Sequence, residues 1–250
     1  MSTTEPHQTS KIIDGKKYFI PLENNPDVFS HLIRALGVSP QLGFHDVYSL
    51  DDPALLALVP RPALALIFIA PGAIYHAARD DVAARTQLYD DAGAEQPVVW
   101  FQQTIGEACG LMALLHAVCN GEARKHIVPG SLVDGLRTEA LRLRRVDRAR
   151  LLYESEGLEK AHASAAVLGD TGAPELGTIA EGAFVCFVKG DDGHLWELAG
   201  YAKGPYDRGE LAEGEDMLSE RALELGVRTF LEKAGGDARF SLVALAPSGE

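Results

Sequence analysis

The chain has 250 residues with a formal net charge of −13, and 46% of its residues are hydrophobic. This length suits one large domain with a substantial core, and the composition is ordinary for a globular protein. The acidic excess argues against nucleic acid and anionic membranes as partners, since both attract lysine and arginine. The longest apolar run, from Ala63 to Ala70, fits a buried strand and is too short to span a membrane.

The cysteines and the N-terminus indicate the cellular compartment. Three cysteines in the whole chain offer neither a disulfide framework nor the ligand spacing of a metal site. The first residues lack a basic segment followed by an apolar one, so we expect no signal peptide. These features predict a cytoplasmic protein without a metal or another cofactor.

Apolar spacing and turn residues predict the elements in chain order. Residues 1–16 are polar and are expected to be a mobile tail, and residues 17–250 form a single domain. Pro26, capped by Asn25, is expected to begin a helix that ends at Gly37. Further elements are predicted as strands over 44–50 and 63–70, helices over 75–89, 132–152 and 154–166, a hairpin of strands 184–188 and 195–198, a turn over 203–209, a helix over 219–233 and a strand over 239–245.

These elements predict an α/β fold in which helices outnumber strands. Both ends of the chain contribute strands, so the sheet is expected to be mostly antiparallel. We therefore expect an α-β-α sandwich. A turn-rich stretch over residues 169–174 is expected to be mobile.

The stretch from Trp100 to Ala117 carries the main chemical signal. A short polar turn follows an apolar lead-in, and Cys109-Gly110 then opens a helix-forming run. A cysteine at a helix start lies near unpaired backbone N–H groups and the positive end of the helix dipole, which favours its thiolate. Gln103 lies upstream and carries an amide able to donate to an oxyanion near the cysteine. A nucleophile and an amide donor are two parts of a cysteine hydrolase.

The run from Gln103 to Gly110, continuing to His116 and Ala117, resembles the signature of the ubiquitin C-terminal hydrolases. These are papain-like thiol peptidases that cleave adducts from the C-terminus of ubiquitin. The likeness extends over nearly the whole chain, with further matching segments at residues 18–26, 46–50, 161–164, 203–209 and 239–245. It implies the family's fold, an α-β-α sandwich with a knotted backbone, and ubiquitin or a ubiquitin-like protein as partner. It also implies a crossover loop near residues 150–175, above the active-site cleft.

The resemblance fails at two catalytic positions. In this family a histidine opens the first strand of a hairpin and an aspartate ends the second, and both act with the cysteine as a triad. The corresponding residues here are Ala183, before Phe184, and Ala199, before Gly200. Alanine cannot carry a proton, so the general base and the group that orients it are both missing. The sequence therefore predicts a degenerate triad with little or no hydrolysis of ubiquitin amides.

Two neighbours of the cysteine also depart from the family pattern. Glu107 stands where the family usually has asparagine, and its carboxylate would oppose a thiolate at Cys109. Leu111 replaces a residue that is usually threonine. With the two alanines, these changes predict a more apolar and emptier site.

Another histidine would have to replace the missing base. His116 lies on the same helix as Cys109, but too far along its axis, and is expected to be a buried core residue. His162 and His194 match histidines that the family also has, so a structural role is expected for both. His126, in the loop after the Cys109 helix, is the candidate that remains as a substitute base.

Three functions are consistent with this sequence. The first is a pseudo-hydrolase that binds ubiquitin or a ubiquitin-like protein without cleaving it. The second is an enzyme repurposed to a small organic substrate, bound in an apolar pocket that the two alanines enlarge. The third is a working deubiquitinase with an unusual base, which the chemistry favours least. Alanines introduced by design would give the same sequence, although replacing the cysteine is the more usual way to trap a complex.

Overall fold

The computed structural model describes residues 9–169, 177 and 182–249. Its strands are β1 Ser10–Ile13, β2 Lys16–Phe19, β3 Leu42–Asp46, β4 Ala65–Pro71, β5 Gly182–Lys189, β6 His194–Leu198, β7 Tyr206–Glu210 and β8 Ser241–Pro247. Its helices are α1 Pro26–Leu36, α2 Pro53–Leu56, α3 Gly72–Arg85, α4 Cys109–Cys119, α5 Leu132–Ala140, α6 Arg145–Glu154, α7 Glu156–Ala166, α8 Glu220–Leu225 and α9 Arg228–Leu231. A 3₁₀ turn, Gly121–His126, follows α4.

Six strands form the central sheet in the order β3-β8-β4-β5-β6-β7, and each neighbouring pair is antiparallel. Alternate residues of the strands face opposite layers. One apolar cluster lies between the sheet and helices α1, α4, α5, α6 and α7, and the other lies between the sheet and helices α3, α8 and α9. The predicted α-β-α sandwich around an antiparallel sheet is confirmed. The knotted path of the backbone stays a prediction.

Helix α4 is the central helix of the first layer. Every residue from Gly110 to Cys119 is buried, because the helix packs on β4 and β5 on one side and against α1 on the other. A helix that is apolar all round is typical of this position. Helix α4 therefore holds Cys109, its first residue, in a fixed place at the end of the sheet.

Helix α1 has the predicted boundaries for local reasons. The side chain of Asn25 accepts a hydrogen bond from the backbone N–H of Asp27, and Pro26 occupies the first turn. Gly37 ends the helix with φ of 97°, a left-handed conformation that glycine adopts without a Cβ clash. This prediction is confirmed.

Part of the predicted N-terminal tail belongs to the fold, which corrects the boundary at residue 16. Residues 10–19 form a two-stranded hairpin in which Ser10 pairs with Phe19. Its backbone also pairs with the loop before Cys109, as described below. Backbone pairing with Gly106, far along the chain, stabilises this hairpin. The polar composition of residues 1–16 does not reveal this pairing.

Several other elements differ from the predictions, among them helix α3, which covers Gly72–Arg85 and not residues 75–89, and strand β3, which covers Leu42–Asp46 and not residues 44–50. The segment 132–152 is divided between α5 and α6, and the guanidinium of Arg148 bonds the carbonyls of Ala140 and Leu143 at the break. The segment 219–233 is divided at Gly226 into α8 and α9. The predicted turn over 203–209 continues into β7, which pairs with β6.

The crossover loop predicted near residues 150–175 is helical in its first part, where α6 and α7 extend to Ala166. The prediction for residues 170–174 concerns positions outside the described residues. Among the helices of the described part, none has the length and apolar character needed to cross a membrane.

Candidate active site

The loop before Cys109 is held from one side by the N-terminal hairpin. The backbone N–H of Phe19 donates to Gly106 O at 3.0 Å, and the N–H of Gly106 donates to Lys17 O at 2.8 Å. A Cβ on Gly106 would lie 2.2 Å from the ring of Tyr18, so only glycine fits this close approach. The hairpin thereby fixes the position of the loop that leads into α4.

The lead-in segment 98–101 is fastened to α4 by side chains instead of a neighbouring strand. Asn120 accepts from the N–H of Val99 at 2.6 Å and donates to its carbonyl at 3.0 Å, as a paired strand residue would. His116 Nε2 accepts a hydrogen bond from the N–H of Phe101 at 3.0 Å. These bonds fix the chain that leads to Gln103.

Helix α6 holds the same segment from the other side. The buried guanidinium of Arg148 donates to the carbonyl of Trp100 at 2.9 Å, and Arg145 donates to the side-chain oxygen of Gln102 at 2.6 Å. Burial lowers the pKa of Arg148. The contacts of Arg148 to backbone carbonyls indicate a structural role.

The end of β6 lies against residues 100–103, which lead to Cys109. Trp100 Nε1–H donates to Ala199 O at 3.0 Å, and the N–H of Gln103 donates to Gly200 O at 2.8 Å. A Cβ on Gly200 would lie 2.9 Å from the Cβ of Gln103, which explains the glycine. The side-chain oxygen of Gln103 is buried and has no hydrogen-bond partner among the described residues. Gln103 therefore lies next to the end of β6.

The two alanines lie at the open end of the hairpin. Ala183, near the start of β5, pairs with Ala70 of β4, and it is 7% exposed. Ala199, just after β6, is 2% exposed, and both alanines belong to the apolar cluster under α3. Phe184 packs next to the start of α4, because a Cβ on Gly110 would lie 3.4 Å from its ring. The structure thus brings both alanine positions to the end of the sheet at which Cys109 lies.

The thiol of Cys109 has its pKa raised to about 12. Burial is the main cause, and the charge of Glu107 adds to it, while hydrogen bonds from the backbone N–H groups of Cys109 and Gly110 act in the opposite direction. The helix start does favour the thiolate through these two N–H groups, but the cost of burying the charge is larger, so the net shift of the pKa is upward. Cys109 is a protonated thiol at neutral pH.

Glu107 adopts a left-handed conformation, with φ of 57°. This region disfavours most side chains and is tolerated best by glycine and asparagine. The backbone of this turn is therefore one that would suit asparagine better than Glu107. The predicted opposition between Glu107 and the thiolate agrees with the rise in the pKa of Cys109.

Comparison with known proteins identifies the family. The sequence model of ubiquitin carboxyl-terminal hydrolase, family 1, matches residues 19–232. The chain is 31% identical over 239 residues to ubiquitin carboxyl-terminal hydrolase 3 of Arabidopsis thaliana, covering 95% of this chain and 98% of the relative. It is 34% identical over 227 residues to ubiquitin carboxyl-terminal hydrolase isozyme L1 of Rattus norvegicus, covering 90% and 96%.

This chain belongs to the ubiquitin carboxyl-terminal hydrolase family. Its fold is similar to a crystal structure of the Trichinella spiralis UCH37 catalytic domain bound to ubiquitin vinyl methyl ester, with a TM-score of 0.67 and 21% identity over 91% of this chain and 94% of the other. The resemblance that the motifs of the sequence indicate is confirmed.

Two of the described histidines, His116 and His162, are buried in the core. His116 is fully buried, and burial lowers its pKa to about 3 while its Nε2 accepts from the backbone of Phe101. His162 donates from Nε2 to the carbonyl of Ile20, and burial lowers its pKa to about 4. Both are neutral core residues, as the sequence predicts.

His126 lies away from the site. It ends the 3₁₀ turn beyond the C-terminal end of α4, and its carbonyl accepts from the N–H of Ser39 at 2.7 Å. Helix α4 has 11 residues and is therefore about 16 Å long, with Cys109 at its other end. His126, the candidate that the sequence left to be tested as a substitute base, therefore does not lie beside Cys109, because the length of α4 separates the two residues.

The remaining described histidines have partners elsewhere on the surface or the sheet edge. His194 pairs with Asp207 at 3.0 Å at the turn end of the hairpin, which raises its pKa. The other contacts are His31 with Ser164, His45 with Pro247 and His76 with Asp80. Leu111 is fully buried in the cluster around α4. No group of acidic, histidine or cysteine side chains in the described part could hold a metal ion.

The structure adds a tyrosine pair to the site that the sequence does not reveal. The hydroxyl of Tyr201 donates to the carbonyl of Phe184 at 3.4 Å, and its ring meets Tyr75 edge to face at 4.9 Å between centroids. Desolvation is the main cause that raises the pKa of Tyr201 well above its ordinary value, and the charges of Tyr75 and Cys109 are the next causes. The only signal in the sequence is the position of Tyr201, two residues after Ala199.

Proposed function

We propose that this chain is a pseudo-hydrolase that binds ubiquitin or a ubiquitin-like protein and cleaves it slowly or not at all. The observation that carries the proposal is the pair of buried alanines, Ala183 and Ala199, at the two triad positions beside a protonated Cys109. The family fold supplies the binding surface in this proposal, and the altered triad removes the chemistry.

The expected loss of hydrolytic activity has three causes: the missing base, the disfavoured thiolate and the missing proton donor. Removing the base from a cysteine or serine triad costs on the order of a million-fold in kcat, because the triad acts as a unit. Because burial and the charge of Glu107 raise the pKa of the Cys109 thiol, the thiolate that would attack is also disfavoured at neutral pH. An amine leaving group also needs a proton donor, and alanine offers none.

Charge and family membership support ubiquitin as the partner. The chain carries a formal net charge of −13, and the surface around the C-terminal tail of ubiquitin is rich in arginine and lysine. Similar proteins are named as ubiquitin hydrolases, and the similar Trichinella spiralis domain is bound to ubiquitin vinyl methyl ester. The three free cysteines agree with the cytoplasm as the place where such a partner is met.

The two other functions have less support. A small-molecule pocket enlarged by the alanines would leave them exposed, but both lie buried against the cluster that contains Ile74 and Tyr75. A working deubiquitinase would need a base next to Cys109, and the histidines of the described part are either neutral core residues or lie elsewhere.

The proposal is tested with free ubiquitin by isothermal titration at physiological salt, together with hydrolysis of a fluorogenic ubiquitin C-terminal amide. We expect saturable binding with one ubiquitin per chain, and a turnover that is on the order of a million-fold below that of a working family member. Cys109→Ala is the matched variant. It should bind ubiquitin as tightly as the unmodified chain.

Two results would contradict the proposal. Turnover that is fast and abolished by Cys109→Ala would show a working deubiquitinase. Absence of heat on titration, with a folded protein, would show that ubiquitin is not the partner. A basic protein of similar size, such as lysozyme, controls for attraction to the acidic surface alone.

A further inference from the structure

The N-terminal hairpin, formed by β1 and β2, is fastened to the helical layer by the side chain of Glu159 in α7. This carboxylate accepts one hydrogen bond from the hydroxyl of Ser10 in β1 and another from Lys17 Nζ in β2, the latter at 2.8 Å. The side chains of Lys17 and Glu159 are 17% and 29% exposed, so water screens this ion pair only in part. One acidic side chain therefore holds both strands of the hairpin.

Tyr153 of α6 strengthens the attachment at Lys17. Its hydroxyl accepts a hydrogen bond from the backbone N–H of Lys17 at 2.9 Å, and its carbonyl accepts one from Lys17 Nζ at 2.8 Å. The ammonium also lies 5.1 Å from the centre of the Tyr153 ring, within the range of a cation–π contact. These contacts fix both the backbone and the side chain of Lys17 against α6 and α7.

The same lysine joins the hairpin to the turn before Cys109. Its backbone carbonyl accepts from the N–H of Gly106 at 2.8 Å, while its own N–H and ammonium bond α6 and α7. Gly106 lies three residues after Gln103 and three before Cys109. A displacement of Lys17 would therefore act on the middle of the turn that carries both of these residues.

This turn needs an external support because of the backbone conformation of Glu107, which directly follows Gly106 and has a φ of 57°. The left-handed region is unfavourable for glutamate, and such a conformation persists only where the surrounding structure imposes it. The two backbone hydrogen bonds between Gly106 and the hairpin provide such a constraint. Without them, we expect Glu107 to leave the left-handed region and the turn to change shape next to Cys109.

The hairpin precedes most of the segment that matches the family's sequence model, which begins at residue 19, so its role has to be inferred from its contacts. We propose that the hairpin is a strap that holds the turn before Cys109 in shape, and that Glu159 is the positioning residue that fastens this strap. Release of the strap at Glu159 makes the turn mobile and the Cys109 thiol more reactive. The inference goes beyond the proposed function, since it concerns the thiol and not ubiquitin.

The first measurement is amide hydrogen exchange by NMR in the unmodified chain, in Glu159→Gln and in Glu159→Ala. Both substitutions remove the charge that holds the hairpin, so the N–H of Gly106 should exchange about tenfold faster or more. The N–H of Phe101, which is bonded to His116, should keep its rate within about twofold. Glu159→Gln keeps a side chain of the same size and can be used if the alanine variant does not fold.

Two further variants separate the strap from a general effect of charge on α7. Glu156→Ala is the matched control, because Glu156 is exposed on the same helix and pairs with Lys160, also on α7. It should leave the exchange of Gly106 within about twofold of the unmodified chain. Lys17→Met should accelerate this exchange as Glu159→Ala does, and the double variant should add little, because both changes remove the same interaction.

The second measurement is the rate at which iodoacetamide alkylates Cys109, which is only partly buried. In Glu159→Ala we expect this rate to rise by about fivefold or more, because a mobile turn lets water reach the thiol and stabilise its thiolate. Mass mapping of the other two cysteines reports on unfolding of the whole domain. Cys119 and Cys186 are 1% and 0% exposed, so they should stay unlabelled when only the turn is released.

Three results would overturn the proposal. The first is a folded Glu159→Ala variant in which Gly106 exchanges no faster than in Glu156→Ala. The second is faster exchange at Gly106 without faster alkylation of Cys109, since the strap would then not control the thiol. The third is an equal acceleration of labelling at all three cysteines, because Glu159 would then only stabilise the domain. Neither measurement contains ubiquitin, so a failure to bind ubiquitin in the titration above leaves both results standing.

Discussion

The indole N–H of Trp100 donates a hydrogen bond to the carbonyl oxygen of Ala199 over 3.0 Å. Trp100 precedes the loop that leads to Cys109, and Ala199 is the position at which the family resemblance implies an aspartate. Because the acceptor is the backbone carbonyl of residue 199, the bond does not depend on which side chain stands at that position. The backbone contacts that bring the segment before Cys109 to the end of β6 therefore do not depend on the side chain at position 199.

Replacing Trp100 with phenylalanine should destabilise the fold. The Ala199 carbonyl would lose its buried donor, which costs about 1–3 kcal/mol, and the smaller ring adds a cavity. We expect urea denaturation to show a loss of about 2–4 kcal/mol in the free energy of unfolding. Trp196→Phe is the matched control, since its indole bonds the exposed Asp192 and its loss should cost under about 1 kcal/mol. Equal losses for the two variants would refute the role assigned to Trp100.

Asn120 replaces a strand neighbour for Val99, and Asn120→Ala tests this. The substitution leaves the N–H and the carbonyl of Val99 buried without partners. Each unpaired group costs about 1–3 kcal/mol, so a loss of about 3–5 kcal/mol is expected by urea denaturation. Asn25→Ala, which removes the cap of α1, should cost only about 1 kcal/mol. A loss for Asn120→Ala no larger than this would show that water replaces the amide.

The charge of Glu107 can be separated from its backbone conformation. Glu107→Gln removes one cause of the raised pKa of Cys109, so the pH at which alkylation by iodoacetamide becomes fast should move down. Glu107→Asp keeps the charge and should leave that pH near its original value. Glu107→Asn should also move it down and stabilise the left-handed turn by about 0.5–1 kcal/mol. No movement for glutamine would mean that burial alone sets the pKa.

Stability should fall in acid because of two buried histidines. The pKa of His116 is lowered to about 3 and that of His162 to about 4, both below the unfolded value of about 6.5. The unfolded chain therefore binds more protons below pH 6.5, so stability is present above that pH and is lost as pH falls towards the folded values. Between pH 6.5 and 5 we expect a loss of roughly 1.5–2 kcal/mol for each histidine.

His162→Gln provides the control for this pH dependence. Its amide can still donate to the carbonyl of Ile20, but it cannot take up a proton. Urea denaturation at pH 6.5 and pH 5 should show a smaller difference in the variant than in the unmodified chain. If the two differences are equal, His162 is not the source of the acid sensitivity.

Local patterns were enough to predict the elements whose ends depend on neighbours in the chain. Helix α1 lies between the Asn25 cap and Gly37 because both act within one helical turn. At the break between α5 and α6, the guanidinium of Arg148 reaches the carbonyl of Ala140 at the end of α5 and that of Leu143 in the turn, and spacing does not reveal these bonds. The hairpin of residues 10–19 likewise depends on pairing with Gly106.

In the candidate site, too, some features could be predicted from the sequence and others depend on the tertiary structure. Cys109 and Gln103 were predicted from the sequence as a cysteine at a helix start with an amide upstream, and the resemblance to the family's motifs implied positions 183 and 199, because a residue type at a fixed place in a motif can be seen without a structure. The protonation state of Cys109 was decided by the tertiary structure, because desolvation outweighs the helix start and depends on what packs above the thiol. The tertiary structure also determines where His126 and Tyr201 lie. The length of α4 separates His126 from Cys109, and the end of β6 places the hydroxyl of Tyr201 at the carbonyl of Phe184.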